Sequence, residues 1–307
     1  EQERGEGTDQ MPDNIDAART AGEALWRAAR RLHATDADGT PELDAQVLLA
    51  HTLRATRVSV LAYPEQALTP KQAAAYARLI ERRAAHEPVA YLVGHREFMG
   101  LDFRTDARAL IPRPETELLV EAALAQIRAR LADTPSAPPV VADVGTGSGA
   151  IALAVAALEP RLPTLYASDI SADALDLARE NAARLHLAGR VTFRQGDLLA
   201  ALPEPVDVAL ANLPYVAPRD AATLPADVNQ YEPALALYGA DDGLGHLRRF
   251  FAQAPAFLKP GAFLALEFGY DQRPALTDLI HATFPDATAR FTADYAGWDR
   301  HVLIKLP

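Results

Sequence analysis

The 307-residue chain has no cysteine. Disulfide staples, thiolate nucleophiles and zinc ribbons are therefore excluded together. Basic charge is also short: 30 Lys and Arg stand against 41 Asp and Glu, a formal net charge of −11. Affinity gained by coating nucleic-acid phosphates needs clustered cations, so no stable nucleic-acid binding is expected. Long apolar runs are missing too. The longest, from Ala150 to Leu158, stops at Glu159-Pro160, far short of the roughly 18–20 residues of a membrane span. The first nine residues are acidic and polar rather than basic and then apolar, so no signal peptide is read and a cytoplasmic location is expected. Residues 1–14 hold five acids, one Arg and almost no apolar side chains. That is too little to offset ordering entropy; a disordered tail is expected there, with Met11 a candidate internal start.

What is present sorts into two patterns. Over 15–32 apolar residues recur at helical spacing, and a second helix reads from Thr40-Pro41 through Val47 and Leu48 to Leu53. Thr40 is a candidate N-cap with Pro41 at the first helical position. A third helix starts at Thr69-Pro70, where Gln72 stands at capping-box spacing from Thr69, and runs to the break at Glu87-Pro88. Residues 15–86 are thus expected to form a small helical domain. Over 89–111 short runs around Tyr91, Phe98, Leu101 and Phe103 are punctuated by Gly94 and Gly100, which predicts strands and turns. A β-hairpin linker is expected over 87–112.

From residue 113 to 307 the chain alternates. A helix runs from Pro114 to about Leu131, and apolar strands are predicted at 140–143, 164–168, 191–195, 206–211 and 262–268. Helices are predicted between them at 150–158, 173–187, 244–258 and 274–283. Such alternation means an α/β fold with a mostly parallel sheet covered on both faces. Residues 288–291 and 302–306 read as an antiparallel edge pair.

The strand ends carry the chemistry. The first runs through Asp143-Val144-Gly145-Thr146-Gly147-Ser148-Gly149 straight into a helix. Glycines there permit a sharp turn and close approach to a ligand, and the helix N-terminus offers free N–H groups. The Asp-x-Gly-x-Gly-x-Gly spacing differs from the Gly-x-Gly-x-x-Gly of dinucleotide folds and favours a methionine-bearing nucleoside over a pyrophosphate. The second strand ends at Asp169, 24 residues beyond Gly145, where a carboxylate suits ribose hydroxyls. Asp197 follows the third strand, where the sheet rim would meet an adenine. Turn and cap roles would explain any one of these residues; three at successive strand ends point to a cofactor site. The fourth strand terminates in Asn212-Leu213-Pro214-Tyr215. A carboxamide or ring amino nitrogen is a poor nucleophile, so an enzyme methylating one must grip its N–H groups with acceptors. The Asn212 side-chain oxygen and the Leu213 carbonyl are such acceptors, and the Tyr215 ring can lie on a planar substrate group and face a cation.

These residues resemble the HemK/PrmC-type protein methyltransferases, which methylate the glutamine amide nitrogen in the Gly-Gly-Gln loop of peptide chain release factors. The matching stretches are 87–94, Glu97-Phe98, 110–117, 143–149, 212–215, Asp242-Gly243-Leu244, 266–269 and 297–300. Within 110–117 the string Ile-Pro-Arg-Pro-Glu-Thr-Glu is the most specific to release-factor enzymes. The resemblance implies a Rossmann-like S-adenosylmethionine-dependent methyltransferase domain, preceded by a small helical substrate-recognition domain and a linking β-hairpin. It assigns Gly145, Thr146, Gly147, Ser148, Gly149, Asp169, Asp197, Leu198 and Asn212 to S-adenosylmethionine, and Asn212, Leu213, Pro214 and Tyr215 to the substrate glutamine. A release factor is the implied partner, with no metal. The family string is Asn-Pro-Pro-Tyr, so Leu213 is a departure. Leucine keeps the carbonyl, and Pro214 still steers it toward extended backbone; only that carbonyl is expected to matter.

Two other functions remain open from the residues alone. Asn-Pro-Pro-Tyr also serves amino-methyltransferases of adenine in DNA or RNA, and Leu213 would suit a non-catalytic cofactor-binding protein. Arg113, Glu115 and Glu117 fit either a substrate mouth or an interdomain salt-bridge cluster. Glu267, late in an apolar strand, is expected to pair with Arg300 rather than act in catalysis. His246 and His301 lack metal-ligand spacing and read as packing or surface residues. Residues 54–113 hold ten Lys and Arg against six acids, a face for an acidic partner or an ordinary solvated one.

Overall fold

The computed structural model describes residues 14–35, 39–134, 136–163 and 165–307. The tail expected over 1–14 lies outside these residues except for Asn14, as do Met11 and Thr164. Asn14 accepts a hydrogen bond from Arg27 Nη1 on its carbonyl at 2.8 Å. The chain divides into two compact units. One runs to Val93 and takes in Pro225–Gln230; the other comprises Gly94–Leu224 and Tyr231–Pro307.

The first unit is built on helices α1 (Ala21–His33), α2 (Pro41–Leu53), α3 (Arg57–Ala62), α4 (Pro70–Ala84) and α5 (Val89–Val93). The helix expected over 15–32 is broken in two, because Thr20 leaves the helix and caps α1 by accepting from Glu23 N. The capping box of α4 forms as expected: Gln72 N donates to Thr69 Oγ1 at 3.3 Å and Thr69 N to Gln72 Oε1 at 2.9 Å. Thr40 precedes α2 but does not cap it with its side chain; its hydroxyl donates to Asp44 Oδ1 at 3.1 Å. The other oxygen of Asp44 accepts from Arg83 Nε at 2.7 Å, tying α2 to α4. Tyr76 and Ile80 of α4 are wholly buried beside Leu48 and Leu49 of α2. The strand pattern expected at residue 89 is overturned: Val89–Val93 is helical. Tyr91 N and Leu92 N both donate to the Pro88 carbonyl, and burial of Leu92 in the helical core, with Val89 and Val93 packed against it, outweighs the β-preference of the two valines.

The hairpin is accordingly shorter than 87–112. It consists of β1 (His95–Phe98) and β2 (Leu101–Arg104), turning through Met99 and Gly100, whose φ values of 53° and 75° suit a two-residue hairpin turn. It groups with the second unit, where Phe98 and Phe103 enter the core beside α6 (Pro114–Asp133).

The sheet of that unit contains β3 (Val141–Val144), β4 (Leu165–Asp169), β5 (Val191–Gln195), β6 (Val206–Asn212), β7 (Leu258–Glu267), β8 (Thr288–Ala293) and β9 (Asp299–Lys305). The order is β5-β4-β3-β6-β7-β9-β8, parallel through β7 and antiparallel at β9 and β8. The expected edge pair is thus present, with β8 outermost. Helices α7 (Ala150–Leu158), α8 (Ala172–Arg184), α11 (Gly245–Phe257) and α12 (Arg273–Thr283) intervene; after β6 come short α9 (Ala226–Tyr231), which through Gln230 belongs to the first unit, and α10 (Ala234–Leu237). Alternate strand residues face two separate cores: Val208, Leu210 and Ala265 toward α6 and α7, Ala209, Leu264 and Leu266 toward α11 and α12. Connections run one way from β3 and the other way from β6, so the strand order reverses between them. Crevices at the carboxyl ends beside such a reversal are where open α/β sheets bind ligands.

Asp44→Ala is expected to destabilise the helical unit by about 1.5–3 kcal/mol, because it takes from the Arg83 guanidinium, whose side chain is 8% exposed, the carboxylate 2.7 Å away, while the Asp227 carboxylate stays at 4.0 Å. Denaturant unfolding followed by circular dichroism measures this, and an unchanged midpoint would contradict it.

Candidate functional site

β3 feeds a loop in which Gly145, Gly147 and Gly149 take φ values of 76°, 55° and 84°, the left-handed region that side chains resist. Two carboxylates hold it. Asp143, at 0% exposure, accepts on Oδ2 from Thr146 Oγ1 at 2.6 Å and from Ala152 N at 3.1 Å, closing the loop onto the first turn of α7. Burial pushes its carboxyl up to about 7. Asp169, at the end of β4, accepts from Gly147 N at 2.8 Å and from Ser171 N at 2.9 Å, one on each oxygen. Burial raises its pKa as well. Each Asp169 oxygen keeps a further lone pair for a ligand. Asp197 is held from α11, where Arg249 Nη2 and Gln253 Nε2 donate to its two oxygens. Leu198 has φ 52° and accepts from Ser168 Oγ on its carbonyl at 3.2 Å.

A cavity of about 260 Å³ opens over these strand ends. Every expected site residue lines it except Gly149 and Tyr215. Gly149 instead caps α7, and Tyr215 turns its ring toward Arg300, whose guanidinium carbon is 5.8 Å from the ring centre. The Tyr215 hydroxyl is 3.4 Å from both Glu267 Oε1 and Arg300 Nη1, and burial together with the Glu267 charge raises its pKa. The ring thus has the Arg300 guanidinium as its cationic neighbour.

The loop after β6 is gripped from behind. Asn212 Nδ2 donates to Thr116 Oγ1 at 3.1 Å. The Tyr215 carbonyl accepts from Gln272 Nε2 at 2.9 Å, and a Cβ on Gly243 would fall 2.2 Å from that same carbonyl oxygen. This close approach explains the glycine of Asp242-Gly243-Leu244. Leu213 is more than a carbonyl: its side chain is 2% exposed, and its Cδ2 would lie 2.9 Å from a Cβ on Gly145. The isobutyl group thus packs against the 145–149 loop. Thr116 and Gln272 escaped the sequence reading because each meets the site by a hydrogen bond from a distant segment, Thr116 through its hydroxyl and Gln272 through its side-chain amide. The only sign of Thr116 lay in the specificity of its string, 110–117.

Neighbouring charges pair differently from expectation too. Arg300 pairs with Asp294 at 3.1 Å, whereas Glu267 Oε2 accepts from Thr116 Oγ1 at 2.7 Å and has His301 Nε2 at 3.8 Å. Arg113 pairs with buried Glu232, which also accepts from Ile111 N at 3.0 Å, and Glu117 accepts from Met99 N at the hairpin turn. His301 is buried, and His246 lines the cavity. Leu213→Pro, which restores the family string, is expected to lower stability by about 1–3 kcal/mol through the lost packing under Gly145. A thermal melt reads the loss, and an unchanged melting temperature would show the side chain to be dispensable.

With this geometry in hand, comparison with known proteins is direct. Residues 23–94 match the PrmC N-terminal domain and residues 122–227 match the methyltransferase small domain. The chain is 45% identical over 282 residues to a release factor glutamine methyltransferase of Moorella thermoacetica, covering 92% of this chain and 96% of that protein. It is 41% identical over 287 residues to the Burkholderia pseudomallei protein of the same name, covering 91% and 96%. Among solved structures, a ribosomal protein L11 methylase from Lactobacillus delbrueckii subsp. bulgaricus aligns with TM-score 0.44 and 21% identity over 63% of this chain and 80% of that one. The chain belongs to the release factor glutamine methyltransferase family.

Proposed function

We propose that this chain transfers a methyl group from S-adenosylmethionine to the side-chain amide nitrogen of the glutamine in the Gly-Gly-Gln segment of a peptide chain release factor. The observation that carries the proposal is the end of β6. There Asn212 has its Nδ2 engaged by Thr116 and stands beside the Leu213 carbonyl in the same cavity as Asp169. Two acceptors side by side suit the two N–H groups of a primary carboxamide, and holding both leaves the nitrogen lone pair to be aimed.

The residues present fit the cofactor. Asp169 offers spare lone pairs for ribose hydroxyls, the loop 145–149 has no side chain at its three left-handed positions, and Ile170, Leu198 and Leu235 supply apolar wall for a base. Bound there, S-adenosylmethionine supplies a methyl group on a cationic sulfur. The chain's own part is positional. Asp169 holds the ribose, Asn212 Oδ1 and the Leu213 carbonyl accept the substrate N–H groups, and Pro214 keeps Leu213 extended so that its carbonyl reaches the cavity. Asp197, already paired with Arg249, acts at the adenine rim only through its remaining lone pairs. A release-factor substrate suits a cytoplasmic location. No helix among the described residues is long and apolar enough to cross a membrane.

Incubating the chain with labelled S-adenosylmethionine and a purified release factor, then locating the label by mass spectrometry, tests the proposal. Label on the Gly-Gly-Gln glutamine is expected; label on adenine in nucleic acid would replace it with the amino-methyltransferase reading, and no label with the non-catalytic one. Asp169→Ala is expected to weaken cofactor binding by about 1.5–3 kcal/mol in calorimetry, since it removes charge-assisted bonds and also frees the Gly147 N–H. Unchanged affinity would put the carboxylate outside the site. Asn212→Ala is expected to cut turnover by roughly two orders of magnitude while cofactor affinity, held mainly by Asp169 and the loop 145–149, falls far less. Equal losses in both would mean a collapsed loop.

A further inference from the structure

The registers of three adjacent strands place a row of polar residues under the site. Asn212 of β6 pairs with Glu267 of β7, and Glu267 with His301 of β9. All three point to the face that also presents Leu210 and Ala265 to α6. The first turn of α6 lies over this row and contributes Thr116. Its hydroxyl is 2.7 Å from Glu267 Oε2 and 3.1 Å from Asn212 Nδ2. Thr116 is 4% and Glu267 2% exposed, so bulk water does not compete for these bonds.

We infer that Thr116 and Glu267 are positioning residues that decide which end of the Asn212 carboxamide faces the reacting centre, an inference that rests on the proposed function above. A carboxamide has nearly the same shape after a half-turn about its last bond, but the turn exchanges an acceptor for a donor. A hydroxyl alone does not choose between the two ends, because it has both a proton and lone pairs to offer. The carboxylate makes the choice. It can only accept, so it takes the single proton of Thr116 and leaves that oxygen with nothing but lone pairs. Asn212 must then present its NH₂ to Thr116, and Oδ1 is turned away from it. Among the described residues no donor meets Oδ1. The exposed end is therefore the acceptor that a substrate N–H requires. With the carboxamide reversed, two NH₂ groups would oppose each other across the site.

Thr116 acts through Asn212 alone, so methyl transfer to a release factor by the full chain reports its role. Thr116→Val keeps the volume and removes the hydroxyl. It is expected to lower kcat about 10- to 100-fold, the scale of one lost or opposed hydrogen bond in a water-poor site, with little change in KM for the release factor or in cofactor affinity. Thr116→Ser, which restores a hydroxyl, is expected to recover most of the rate. In an Asn212→Ala background Thr116→Val is expected to cost nothing further, because its only route of action has gone. An unchanged kcat in Thr116→Val, or the same fold loss in the Asn212→Ala background, overturns the inference.

A second measurement is independent of substrate identity. The side-chain NH₂ resonances of Asn212, identified by their disappearance in Asn212→Ala, are expected to exchange slowly in the free protein and to shift and exchange faster in Thr116→Val. Equal exchange in the two would overturn the orientation even if methyl transfer occurs. A protein that shows the expected protection yet transfers no methyl group would instead sink the functional proposal and leave the orientation standing.

Discussion

The backbone register of three parallel strands decides where everything else at the site can be. β3 pairs Val144 with Ser168 of β4 on one side and with Ala211 of β6 on the other. The next residue along each strand is therefore delivered to the same line across the sheet: Asp169, Gly145 and Asn212. One is a carboxylate with spare lone pairs, one a glycine that admits a ligand to the backbone, and one a carboxamide. A slip of one residue in any strand would turn its contribution to the opposite face. The strands are apolar and buried on both sides, so hydrophobic packing enforces the register, and the chemistry is carried only by the residues that emerge at the carboxyl ends.

Polar groups emerging from so apolar a sheet must be satisfied locally, and carboxylates do most of that here. Asp143 clasps its loop to the first turn of α7, Asp169 takes two loop amides, and Glu267 takes the hydroxyls of Thr116 and Tyr215. Such bonds hold a site in its working geometry before any ligand arrives, and this is where rate comes from when the nucleophile is intrinsically poor. The same tightness explains the glycines. Gly243 leaves room for the Tyr215 carbonyl, and Gly145 leaves room for the Leu213 side chain. A leucine in place of the family proline is accommodated because its side chain became part of the core.

The helix and strand periods made the α/β architecture legible: α7 and β5 fall at the expected residues, and the capping box of α4 is written in Thr69 and Gln72. Val89–Val93 misleads because a short apolar run ahead of Gly94 looks like a strand, while burial of Leu92 in a helical core is a tertiary effect. At the site, the motif residues at strand ends were legible because each has a spacing of its own. Their partners were not. Thr116 lies 96 residues from Asn212 and 151 from Glu267, and nothing local to a threonine in a helix announces which carboxylate it will meet. The burial of Glu267 calls for a partner, and Arg300 is the one expected from sequence, yet the turn before β9 supplies Arg300 with Asp294. Sequence pattern locates groups that face a ligand; the contacts that orient those groups are made across the fold.

The most direct measurement is a crystal structure of the full chain with S-adenosylhomocysteine and a peptide containing Gly-Gly-Gln. The account requires the glutamine amide nitrogen within hydrogen-bond distance of both Asn212 Oδ1 and the Leu213 carbonyl, with Asn212 Nδ2 still on Thr116 and Asp169 on the ribose. A glutamine bound away from the end of β6, or a ribose that does not touch Asp169, would contradict it.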